Sequence, residues 1–113
     1  MSLDAFEVIG GKPLKGEIIP QGAKNEALQV ICATLLTSEK VTISNIPDIL
    51  DVNLLIGLMR GLGVSVEQVA KKEFCFQAKD INLDYFASGE FRQTASRIRG
   101  SVMLIAPLLA RFG

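Results

Sequence analysis

Twice along this chain a run of large apolar residues passes through a short break into residues that alternate as a strand does: "LLTSEKVTIS" at 35–44 and "LMRGLGVSVE" at 58–67. Apolar side chains recur about every 3.6 residues on a helix and about every two on a strand, so each echo reads as a helix feeding a strand. Upstream of the first, Leu28, Ile31, Cys32, Leu35 and Leu36 fall at helical spacing. They predict a helix that begins near Lys24, ends near Thr37 and Ser38, and leads into a strand over "KVTISNI". Upstream of the second, Pro47, Asp48 and Asp51 supply start signals for a helix whose apolar face is Val52, Leu55, Ile56, Met59 and Leu62, and "GLG" stops it. "VSVEQV" and "EFCFQA" then read as two strands joined around Ala70 to Lys72. At the start of the chain "FEVIG" and "GEIIP" flank "GKPLK", which predicts a β-hairpin over residues 6–19. A third helix is expected from Gly89 or Glu90, with a stripe through Ala95, Ile98, Val102, Ile105 and Leu109 and a kink at Pro107. The alternation points to an α/β (α+β) domain built from repeated small units, with no linker dividing it.

The 113 residues suffice for one core. At 49% apolar and 21% charged, the composition is that of an ordinary soluble globular protein. Twelve basic and twelve acidic residues cancel, so no overall field would hold the chain on nucleic acid or an anionic membrane, and any anion site must be local. The chain has no histidine, which removes the commonest general base, the Ser/His/Asp and Cys/His arrangements and most zinc sites. Cys32 and Cys75 stand among apolar neighbours without CxxC or Cys/His spacing, and are expected to be buried thiols rather than metal ligands or a disulfide. No basic segment followed by an apolar one opens the sequence. The apolar run "SVMLIAPLLA" falls short of the roughly 20 residues a bilayer span needs, so a cytoplasmic location is expected.

Two places carry chemistry. Lys24 and Asn25 stand together where the first helix begins, at the positive end of the helix dipole, where acids are preferred and free N–H groups favour an anion. Local physics leaves two readings open: a bound phosphate or carboxylate, which Gly22 would let approach the backbone, or an exposed lysine on a poorly optimised helix end. The second place is "FRQTASRIRGSVM". On a helix, Arg92, Ser96, Arg99 and Met103 would share one side with Arg97 offset, either gripping phosphate oxygens or forming a solvated basic face.

Together "GEIIPQGAKNEALQVICATLL", "VTISNIPDILDV" and "RIRGSVMLIAPLLARFG" closely resemble the N-terminal part of the UDP-N-acetylglucosamine 1-carboxyvinyltransferase family, the enolpyruvyl transferases that open peptidoglycan synthesis. The likeness runs in order over essentially the whole chain, and the combination of GAKN, a DV pair opening the next helix, and RGS followed by LLARFG makes it specific.

The resemblance implies two related domains of repeated βαβαββ units in an inside-out barrel, with ligands in the cleft between them. Residues 1–113 would be a single truncated N-terminal portion: about one unit, the first helix of the next, and a first hairpin that belongs partly with the other domain. It implies transfer of the enolpyruvyl group from phosphoenolpyruvate to the 3-hydroxyl of UDP-N-acetylglucosamine with release of phosphate. No cofactor, metal, nucleic acid or membrane is implied. Carried over by motif, Lys24 and Asn25 would contact phosphoenolpyruvate and Arg99 the UDP-sugar. Asp51 is expected to cap the second helix, with a contribution to the site as the lesser reading. Arg97 and Arg92 are accessory candidates without a carried role. The family's general acid is a cysteine on a loop beyond Gly113, matched by neither Cys32 nor Cys75, so the fragment alone is expected to lack turnover and to self-associate through apolar surface. Met103 stands where a tryptophan is frequent, and Leu50 where some members carry lysine. The rivals are the shikimate-pathway enolpyruvyl transferase, whose GSKS-type and GNAGT-like segments differ from "GAKN" and "ASRIRGS", and a non-catalytic nucleotide-sugar binding module.

Overall fold

Both echoes fold as helix-to-strand units in the computed structural model, which describes residues 4–113. Helix α1 spans Lys24–Ala33 and tightens into a 3-10 turn, Thr34–Leu36, before strand β1, Lys40–Ile43. Helix α2, Leu50–Gly61, leads into β2, Ser65–Ala70, which turns back as β3, Glu73–Gln77. The "GLG" stop works through Gly63. Its φ of 97° is left-handed, and this geometry lets Gly63 N–H reach the Arg60 carbonyl and Val64 N–H the Met59 carbonyl, each at 3.0 Å. These two bonds satisfy carbonyls that the helix end would leave open.

The three strands form one antiparallel sheet in the order β1-β3-β2. Phe76 on the central strand stands opposite Val41 on one side and Val66 on the other, and it is fully buried. Beneath the sheet, α1 contributes Leu28, Ile31 and Cys32 and α2 contributes Val52, Leu55, Ile56, Met59 and, at its cap, Leu62; all are buried in one cluster. Each such side chain removed from water stabilises the fold by about 1.5–3 kcal/mol before entropy is counted. Cys32 is buried as expected and Cys75 is only half-buried. The strand period explains this: Phe74 and Phe76 take the core face, which turns Cys75 to the other side.

Two expected elements fail to form. Residues 6–19 make no hairpin; the described chain holds no strand before β1. Phe6, Val8, Ile9, Leu14, Ile18 and Ile19 lie between 81% and 98% exposed. A two-stranded hairpin is marginal without a surface to cover its apolar face, and nothing in the described chain covers this one.

The single third helix is also a misreading. The chain forms α3, Leu83–Phe86, and α4, Gly89–Ala95, then a 3-10 segment, Arg99–Leu104, and α5, Ile105–Phe112. The break falls at Ser96–Ile98, where Ser101 Oγ bonds the Ala95 and Ile98 carbonyls at 2.9 and 2.8 Å in competition with the helical ladder. The break rotates the apolar stripe. Phe91, Ile98, Leu104 and Leu108 are buried, whereas Val102, Ile105 and Leu109 are exposed. Pro107 is the third residue of α5 and so lies in its first turn, where a missing N–H costs no internal bond. Arg111, near the end of α5, donates from Nη1 to the Leu35 carbonyl at 2.9 Å and to that of Thr37 at 3.3 Å, tying the last helix to the end of the first.

Candidate functional site

Helices α1 and α2 both begin without a capping side chain. The N-cap residues are Ala23 and Ile49, neither of which has an oxygen to offer the free N–H groups of the first turn. First-turn residues from both helices meet in one cleft of about 370 Å³: Lys24 and Asn25 from α1, Asp51 from α2, and Arg99 from the opening of the 3-10 segment. Leu28, Val102 and Met103 supply its apolar wall. The break after α4 is what brings Arg99 here, since Ile98 is extended and its side chain is buried beneath.

Asp51 is not the cap that its position suggested. The chain leaves the extended conformation at Ile49, with φ −132° and ψ 159°, so Asp51 falls second in the helix, beyond the cap position. Its carboxylate instead meets Lys24 Nζ at 2.5 Å. It still sits well with the positive end of the α2 dipole. Lys24 therefore has a partner of opposite charge within the chain, a third possibility beside the two left open by its local sequence.

Gly22 also serves a different end. A Cβ there would collide with the Asn45 carbonyl oxygen, so the glycine is needed for the approach of the chain to the turn before Ile46. The expected side shared by Arg92, Ser96, Arg99 and Met103 does not exist. Arg99 and Met103 line the cleft, while Arg92 and Ser96 border a shallow depression beside Phe86 and Phe91, and the exposed Arg97 lines neither. Gln29 lines the cleft and had gone unnoticed, although it stands one turn on from Asn25 on the same helix face.

Comparable hollows lie elsewhere, including one of about 410 Å³ bordered by Arg60, Lys71 and Lys72. Size does not separate them. The cleft at Lys24 is distinguished by drawing on the uncapped first turns of both α1 and α2, with Arg99 of the 3-10 segment beside them. Among the described residues no group of His, Cys, Asp and Glu could hold a metal ion, and no helix is long and apolar enough to cross a membrane.

The fold is that of the enolpyruvyl (carboxyvinyl) transferase class: the enolpyruvyl transferase NikO from Streptomyces tendae matches with a TM-score of 0.66 at 25% identity, over 92% of this chain and 23% of its own. A sequence model of the family described as EPSP synthase (3-phosphoshikimate 1-carboxyvinyltransferase) matches residues 8–113, and the chain belongs to that family. Among curated relatives, the UDP-N-acetylglucosamine 1-carboxyvinyltransferases of Bacteroides fragilis and Bacteroides thetaiotaomicron are each 57% identical to it over 109 residues, 96% of this chain and 25% of theirs. The enzyme of that name from Porphyromonas gingivalis is 53% identical over the same share. The chain thus spans about a quarter of the length of the curated relatives it matches.

Proposed function

We propose that this chain is the N-terminal portion of a two-domain UDP-N-acetylglucosamine 1-carboxyvinyltransferase, a cytoplasmic enzyme of peptidoglycan synthesis. The observation that carries the reading is the meeting of Lys24, Asn25 and Arg99 in one cleft at two uncapped helix ends. In the reaction, the sugar 3-hydroxyl adds to C2 of phosphoenolpyruvate as C3 is protonated, and phosphate then leaves from the tetrahedral intermediate. Negative charge gathers on the phosphate and carboxylate, which fixed cations stabilise. Lys24 would neutralise the phosphoenolpyruvate side, Asn25 would orient it through hydrogen bonds, and Arg99 would hold the nucleotide side. The acid that protonates C3 is not supplied by Cys32. That thiol is buried, and burial pushes it up to about 12, which suits a core side chain.

A second reading, the shikimate-pathway reaction, is favoured by the match to the EPSP synthase (3-phosphoshikimate 1-carboxyvinyltransferase) family. Phosphate release by the full-length protein separates the two. Given phosphoenolpyruvate, release with UDP-N-acetylglucosamine and not with shikimate 3-phosphate is expected, and Lys24→Ala should abolish it. Release with the shikimate ester alone would move the protein to the other reaction. Release with neither would leave a nucleotide-sugar binding module, for which UDP-N-acetylglucosamine binding measured by calorimetry is the remaining test.

A further inference from the structure

The carboxylate of Asp51 occupies a position that an incoming anion would choose: 2.5 Å from the Lys24 ammonium, in the first turn of a helix with no capping side chain, in a cleft that Arg99 also lines. We propose that Asp51 is a resident counter-ion that holds the place of the substrate's anionic group on Lys24 and is displaced when that group binds. This rests on the proposed role of Lys24.

The exposure of the pair suits exchange. The side chains of Lys24 and Asp51 are 51% and 29% exposed, so solvent screens their attraction, and breaking it costs an incoming ligand at most about fivefold in affinity. A pair buried on both sides would resist displacement far more strongly. Nor is the pair needed to join the two helices, since Leu28 and Ile31 of α1 and Val52 and Leu55 of α2 already share one buried cluster. Its effect falls on selection. A monoanion would give Lys24 the same unit of charge that Asp51 already gives, so the exchange gains little. A dianionic phosphate brings twice the charge and can draw on Arg99 as well, so it prevails where a monoanion does not. Asp51 thereby sets a charge threshold for occupancy of the cleft.

The test is an NMR titration of the full-length protein at fixed ionic strength and pH 8, with inorganic phosphate as the dianion and acetate as the monoanion. The variants are Asp51→Asn, Asp51→Ser, Lys24→Ala and the Lys24→Ala/Asp51→Asn double. Loss of the carboxylate should tighten phosphate about three- to fivefold in both Asp51 variants and reduce the preference for phosphate over acetate. The gain should vanish in the Lys24→Ala background. Unchanged or weaker phosphate binding in the Asp51 variants, no saturable shift at all, or an equal gain without Lys24 would each overturn the proposal. The titration needs no turnover. If the full-length protein releases phosphate with neither acceptor, the functional reading fails, while the counter-ion role is judged on these affinities alone.

Discussion

Gly22 meets the Asn45 carbonyl so closely that even a methyl group has no room, and the obstacle is backbone rather than a flexible side chain. Gly22→Ala should therefore cost about 1–3 kcal/mol in urea unfolding, with the candidate cleft displaced alongside. Lys24→Ala should behave in the opposite way. Its ion pair is partly exposed, 51% on the lysine and 29% on the aspartate, and worth about 1 kcal/mol or less, so the variant should keep its unfolding midpoint nearly unchanged while the full-length protein loses phosphate release. Cys32 gives a pH signature. Burial raises its thiol from 9.0 to about 12, so the unfolded chain ionises first as pH rises. This group adds no pH dependence well below 9.0, and as pH rises through 9.0 stability falls by up to about 1.4 kcal/mol per unit until the folded thiol titrates near 12. Urea midpoints measured from pH 8 to 11 on the wild type and on Cys32→Ala should diverge in slope. At this scale the sequence made Lys24 and Asn25 visible because a lysine is misplaced at a helix start. Its pairing with Asp51 was hidden, since that depends on how two helices meet.

Elements were legible wherever one periodicity ran unbroken into a recognisable stop. Helices α1 and α2 and strands β1 to β3 all belong to this class, and the Gly63 turn is an example of the stop. The third helix was illegible because its apolar residues do fit a helix. What breaks it is the Ser101 hydroxyl bonding back to Ala95 and Ile98, a competition that a pattern of apolar positions cannot register. The hairpin over 6–19 was illegible for a different reason: alternation and a turn define a strand pair, but a covering surface decides whether it forms. Arg111 belongs to this scale too, since one guanidinium links α5 to the carbonyls of Leu35 and Thr37. Arg111→Ala should lower stability by about 1–3 kcal/mol, and Arg111→Lys should restore only part, because a lysine lacks the planar guanidinium that also lies over the Phe112 ring at 5.0 Å. Thermal unfolding of the two variants beside the wild type checks the order.

Across the whole molecule, the radius of gyration is 17.7 Å and the longest dimension 59 Å. A compact domain of this length would measure about 13 Å in radius of gyration. The excess fits the strandless residues before α1, and their apolar side chains join Val102, Ile105, Leu109 and Phe112 in facing solvent. Surface of this kind drives association, so the isolated chain should show a mass that rises with concentration in light scattering, and salts that strengthen apolar contacts should increase it. A constant 12.2 kDa species would count against this. The Arg111 bond carries a further consequence for synthesis. The Leu35 carbonyl waits for a donor 76 residues later, so on the ribosome the first helix emerges long before its end can be fastened. The first helix is thus fastened by a side chain that appears 76 residues after Leu35, and a nascent chain arrested before Arg111 should leave that end frayed and open to proteases.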